Sequence, residues 1–244
     1  LAQAAFNQKE EQQALKGVQD LIAKYPKSPE ANDGLDLAEA VFDRSKGIDY
    51  KIIPVHLIKN GGAQLSADYE SKNPNRLVPL FEDGKNSIHQ SLAIIEYLDE
   101  VHAKPALLPS SPIDRAWVRS LAMDIAIDIH PISNLRVLRY LIKQVGASND
   151  SKDAWYQHWI KLGLTSIEHQ LSTDPRVGYF AYGDQPGLID ACLVPQIFNA
   201  LSIKLDISHY PTLMRIFDEC MKLPAFIDAS WEKQIDAEGP NPTV

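Results

Sequence analysis

The sequence predicts an α/β layer followed by an all-α domain, and two stretches carry that prediction. Asn73–Glu100, reading NPNRLVPLFEDGKNSIHQSLAIIEYLDE, places strand, turn, strand, polar pair and helix in close succession. From Pro112 onward the apolar residues recur at helical spacing, with no sustained alternation of the kind a half-buried strand would show. Between them Asp99–Pro112, with VHAKPALLPSSP at its centre, is proline-rich and forms the best domain boundary in the chain.

The totals restrict what the protein can be. A chain of 244 residues with 45% hydrophobic and 23% charged residues can bury one large or two small cores. A net charge of -8 argues against nucleic acid and against an anionic membrane surface as partners. No apolar run approaches the roughly 18 residues of a membrane span. The opening LAQAAFNQKEEQQ is polar, carries no apolar signal core, and begins at Leu as in a processed or shortened chain. Cys192 and Cys220 are far apart and fit neither a disulfide framework nor a metal site, so a reducing cytoplasm and no bound metal are expected.

Taken in order, Ala2–Tyr25 reads as a helix that Tyr25-Pro26-Lys27-Ser28-Pro29 breaks. A second helix is expected up to Ser45, closed by Gly47. This hairpin resembles a single tetratricopeptide-type repeat, which cannot bury its own face. Lys51–Leu57 (KIIPVHL) reads as a strand, Lys59–Gly62 as a loop and Ser66–Ser71 as a short helix. Leu77–Phe81 and Ser87-Ile88 are the strands of a hairpin turning at Glu82–Lys85, and the next helix covers Leu92–Asp99. Ser111-Pro112-Ile113-Asp114 looks like a capped helix start. It opens a long helix with Trp117, Val118, Leu121, Ile125 and Ile129 on one side, reaching His130-Pro131. Further helices are expected over Asn134–Gln144, Asp153–Leu171 (with Trp155, Trp159, Leu162 and Leu164 apolar), Gly187–Leu201 and Pro211–Leu223. The Gly187 helix is apolar all round and therefore buried. Nothing orders the tail Gly239–Val244.

The candidate chemistry lies in the central stretch. An edge strand can hold a peptide ligand through main-chain groups, and Val78, just before Pro79, offers both of its own. A ligand carboxylate is served by a hydroxyl and N–H groups at a helix N-terminus, which is where Ser91 stands, and Gln90 beside it can donate and accept. Taken alone, Gln90-Ser91 is more often merely a helix cap.

At the spacing Val78-Pro79 then Gln90-Ser91, this stretch resembles the glutathione-binding half of a glutathione transferase, and specifically the zeta class, the maleylacetoacetate isomerases. The resemblance runs from about Lys46 to Phe226. It implies a thioredoxin-like N-terminal domain, its first strand here replaced by helices, and an all-helical glutathione-transferase C-terminal domain. The implied organisation is a helical segment at 1–45, the glutathione-binding domain at 46–103, the helical domain at 104–236 and a tail at 237–244. The block DIHPISNLRVL is closely similar to the zeta class, which implies that His130 and Asn134 reach glutathione and the cleft. On its own, a histidine ending a helix is more often a C-terminal cation. Gln64, in the GGAQ loop, is a further glutathione contact by the same resemblance. GDQPGLIDACLVPQ matches a folding signature of the C-terminal domain, with Gly187 at the cap and Asp190 as its partner.

Two departures stand out. A Ser-Ser-x-Ser-x-x-Arg motif that activates the glutathione thiol should fall near Asp33–Ala40, where the chain reads DGLDLAEA. An arginine that receives a substrate carboxylate is replaced by Ser202. No catalytic residue is therefore assigned. The resemblance implies a glutathione-dependent isomerase or transferase, a homodimer, acting on a small electrophilic or unsaturated dicarboxylate. In that chemistry a thiolate adds to a conjugated double bond, the bond rotates and the thiolate leaves. The departures leave open a non-catalytic glutathione-binding or interaction protein.

Overall fold

The computed structural model describes residues 50–230 and 233–234. The expected helical hairpin at 1–45, the DGLDLAEA segment and the tail at 237–244 lie outside them. The described chain begins with two short 3₁₀ turns, Lys59–Gly61 and Ala63–Leu65, and helix α1, Ala67–Lys72. The Ser66 hydroxyl caps α1 by accepting from the Tyr69 N–H at 3.2 Å. Strands β1 (Leu80–Asp83) and β2 (Asn86–His89) form an antiparallel hairpin in which Leu80 pairs with His89 and Asp83 with Asn86. Gly84, at φ 60°, takes the first place of its two-residue turn, the position at which glycine favours a tight hairpin. Helix α2, Ser91–Val101, packs back on β2 and buries Ile94, Ile95 and Leu98.

The strand expected at Lys51–Leu57 is not formed. Among the described residues that segment has no ladder partner, and Ile52 and Ile53 are exposed. Its composition suits a strand, but a strand exists only where a neighbour supplies the hydrogen bonds.

The helical domain opens with α3, Pro112–Met123, which passes into a π-helical turn at Asp124–Ile129 and ends at His130. Ser111 is the N-cap, with Pro112 in the first turn, but its hydroxyl caps nothing and Asp114 reaches Arg176 at 3.3 Å. The expected capping box is therefore replaced by an ion pair. Helix α4, Leu135–Tyr140, ends in a second π turn, Leu141–Val145. Helix α5, Asn149–Thr173, buries Tyr156, Ile160, Leu164, Ile167 and Leu171 at steps of three and four. Leu162, expected on its apolar side, faces outward because it falls off that stripe. In α6, Leu188–Ser202, every residue from Leu188 to Leu201 is buried. Helices α7 (Pro211–Cys220) and α8 (Pro224–Ala229) complete the domain. Glu168 of α5 caps α7, accepting from the N–H groups of Thr212 at 3.0 Å and Leu213 at 2.9 Å.

The proline-rich connector is pinned at both faces. Asp99 accepts from the Leu107 N–H at 2.9 Å, and the Leu107 carbonyl accepts from Leu188 N–H at 3.2 Å. Gly187 is glycine for the same reason, since a Cβ there would stand 2.9 Å from the Leu107 carbonyl oxygen. Gly163 serves another close approach, because its added Cβ would meet the Ile129 side chain at 2.2 Å. Ile129 is itself fully packed. Gly163→Ala is expected to destabilise by about 1–3 kcal/mol through overpacking, partly offset by about 1 kcal/mol of helix propensity, and urea unfolding measures the difference.

Candidate glutathione site

Val78 lies just outside the hairpin ladder, and the Val78–Pro79 bond is cis. Among the described residues neither main-chain group of Val78 has a hydrogen-bond partner. Twelve residues on, Gln90 turns the chain into α2 with φ at 76°, a left-handed conformation that is costly for a residue with a Cβ. It is the N-cap of α2, yet its side chain caps nothing. The first helical bond runs from the Ile94 N–H to the Gln90 carbonyl, so the N–H groups of Ser91, Leu92 and Ala93 have no acceptor within the helix. Ser91 is the first residue of α2 rather than its cap. Its side chain is buried, and among the described residues its hydroxyl makes no hydrogen bond. An uncapped helix start, three open N–H groups and a waiting hydroxyl are poor local structure. They are also a good receptor for a carboxylate.

Gln64 is placed differently from the other candidates. It is folded inward under Gly62, whose φ of 105° and absent side chain make the room. Its Nε2 donates to the Leu57 carbonyl at 3.2 Å, and its Oε1 is buried without a partner. The helical domain contributes His130 and Asn134 around the 3₁₀ turn Pro131–Ser133, which Trp155 of α5 anchors by donating to the Ile132 carbonyl at 2.8 Å. Asn134 caps α4, its Oδ1 accepting from the Arg136 N–H at 3.2 Å, so its amide nitrogen remains available. The His130 N–H bonds to Ile125 across the π turn.

Burial pushes the His130 imidazole down to about 4. It is therefore neutral near pH 7, not the helix-end cation that its position alone suggests. The unfolded chain binds the proton more tightly, so the stability tied to this group is present above about pH 6.5 and is lost as pH falls through about 4. An NMR titration is expected to find its ring resonances flat from pH 8 to about 5.5. A midpoint near 6.5 would place the ring in solvent. Neither cysteine can act as a local nucleophile: burial pushes Cys192 up to about 12, and burial together with the Asp190 carboxylate raises Cys220.

The two halves meet at Glu96 of α2 and Arg119 of α3, joined by paired hydrogen bonds at 2.7 and 2.9 Å. Sequence reasoning picked out Val78, Gln90 and Ser91 as candidates and passed over Asn73, whose side chain organises the loop before Val78. An asparagine preceding a proline is itself a turn signal and could have revealed it. Among the described residues no helix is long and apolar enough to cross a membrane, and no cluster of His, Cys, Asp and Glu could hold a metal.

Residues 44–106 match the glutathione S-transferase N-terminal domain family. Over 192 residues the chain is 44% identical to a probable maleylacetoacetate isomerase of Vibrio cholerae, covering 79% of this chain and 88% of that protein. The holo structure of a maleylpyruvate isomerase, a bacterial zeta-class glutathione transferase, superposes with a TM-score of 0.82 at 36% identity, covering 86% of this chain and 98% of that one. A maleylacetoacetate isomerase of Methylobacterium extorquens, solved with malonate and glutathione, gives the same TM-score at 30% identity, covering 86% and 98%.

Proposed function

This chain belongs to the maleylacetoacetate isomerase family of zeta-class glutathione transferases, and from that premise we propose that it is a glutathione-dependent cis–trans isomerase of a small unsaturated dicarboxylate. The observation that carries the reading is the uncapped start of α2, with Ser91 buried and its hydroxyl unengaged. Glutathione fits the residues present. The α2 N–H groups and Ser91 would take its γ-glutamyl carboxylate, Gln90 would flank that end, and the open main chain of Val78 would pair with its peptide. A contact from Gln64 would require its inward-folded amide to turn out from under Gly62. Bound glutathione supplies a thiol whose thiolate adds reversibly to a conjugated double bond.

From the helical half, His130 and the Asn134 amide nitrogen would face the cleft. A neutral imidazole there can orient a ligand without adding charge. Relatives named maleylacetoacetate isomerase and maleylpyruvate isomerase support an enzyme over a purely binding or interaction protein. We place the glutathione-binding domain at 46–103 and the helical domain at 104–236, in a cytoplasmic homodimer. Glutathione titration by calorimetry, with maleylacetoacetate and maleylpyruvate turnover on the same sample, tests the proposal. Binding with turnover of either substrate is expected. Binding without turnover of either would overturn the isomerase reading, and no binding would overturn the site.

A further inference from the structure

We propose that Asn73 is a positioning residue for ligand binding, acting through the peptide group that joins Leu77 to Val78. Its carboxamide is buried and makes two hydrogen bonds in opposite senses. Nδ2 donates to the Leu77 carbonyl at 2.7 Å, and Oδ1 accepts from the Asn75 N–H at 3.1 Å. The main chain of Asn73 is fixed as well, its N–H on the Tyr69 carbonyl at 2.8 Å and its carbonyl on the Arg76 N–H at 2.9 Å. Arg76 closes the loop in a left-handed conformation, φ 54°. A second donor, the Tyr69 hydroxyl, reaches the same Leu77 carbonyl at 2.8 Å. The loop from Asn73 to Leu77 is thus wound around one side chain, and its last carbonyl is held inward by two donors.

The consequence lies one atom further along. The Leu77–Val78 peptide is planar and trans, so its carbonyl oxygen and the Val78 N–H point in opposite directions. Anchoring the oxygen inward aims the N–H outward, and that N–H is one of the two main-chain groups left open at Val78. An unanchored loop could rotate this peptide plane and present a carbonyl instead. A ligand peptide would then meet an acceptor where it needs a donor. Asn73 and Tyr69 set the polarity of the docking edge before any ligand arrives, which lowers the ordering cost of binding.

The inference rests on the reading of Val78 as the peptide-binding position. Asn73→Asp tests it with little change of shape, since the carboxylate keeps the acceptor for Asn75 but cannot donate to Leu77. Calorimetry with glutathione alone is expected to give an affinity about tenfold weaker. In turnover the KM for glutathione should rise while kcat at saturation moves by less than about twofold. The Val78 amide resonance of the ligand-free protein should shift while that of Ser91 stays in place. Tyr69→Phe, which removes the other donor, should weaken binding by about threefold, and it carries the test if Asn73→Asp does not fold. Unchanged affinity in a folded variant, with the wild type binding, would overturn the positioning role alone. A wild type that does not bind glutathione would remove the proposed site and this inference with it.

Discussion

Ser91→Ala is expected to weaken glutathione binding by about ten- to a hundredfold, the effect of losing one hydrogen bond to a charged group. Ser91 is the first residue of α2, and its hydroxyl makes no hydrogen bond among the described residues, so its removal should leave the fold nearly untouched. The affinity loss and the stability loss therefore separate: calorimetry should register a large change and thermal unfolding a small one. Three open N–H groups remain in the variant, so residual binding should persist and should weaken as salt rises. Unchanged affinity would mean that the carboxylate binds elsewhere, and the assignment of the α2 terminus would fall.

Asp190→Ala is expected to be the most destabilising single change, by about 3–5 kcal/mol in urea unfolding. Asp190 is fully buried, accepting from the Ala181 N–H at 2.9 Å and the Gly187 N–H at 2.8 Å, with the Cys220 thiol 3.9 Å away. Alanine would strand two N–H groups inside the core. Burial also raises the carboxyl to about 6, against the pull of its backbone donors. The native state then holds the proton more tightly than the unfolded chain. The stability contributed by this group is fully present below about pH 4 and is lost as pH rises through about 6. Measured against Asp190→Asn, which does not titrate, the wild type should lose stability between about pH 4 and 6. A flat difference would mean that the carboxylate is ionised throughout. His130 acts in the opposite sense over much of the same range, so the two contributions partly mask each other in the wild type.

What the sequence revealed and what it hid divide along the distance over which each feature is decided. The β1–β2 hairpin, the Gln90-Ser91 step and α2 are set by neighbours within a few residues, and each was readable from turn chemistry and apolar spacing. The same holds for the buried α6 and its Gly187–Asp190 start. Lys51–Leu57 misled because its apolar run says nothing about whether another strand lies beside it. Asp114 has the right place for a capping box, but Arg176, distant in sequence, competes for it. Glu168 caps α7 from another helix, and no local pattern announces that. Gln64 carries the residue type a ligand contact needs, yet the space over Gly62 draws it inward. Its direction depends on packing rather than on composition.

Glu96 and Arg119 make α2 and α3 the two arms of a caliper. Their double hydrogen bond is the pivot. Ser91 sits about 7.5 Å along one arm by helical rise, and the other runs through a π-helical turn to His130. That joint ties the helix carrying Ser91 to the first helix of the helical domain. On the proposed function, a substitution at Glu96 or Arg119 would alter how the two halves frame the ligand without removing any ligand contact. Substrate choice would then depend in part on a joint that lies outside the proposed site.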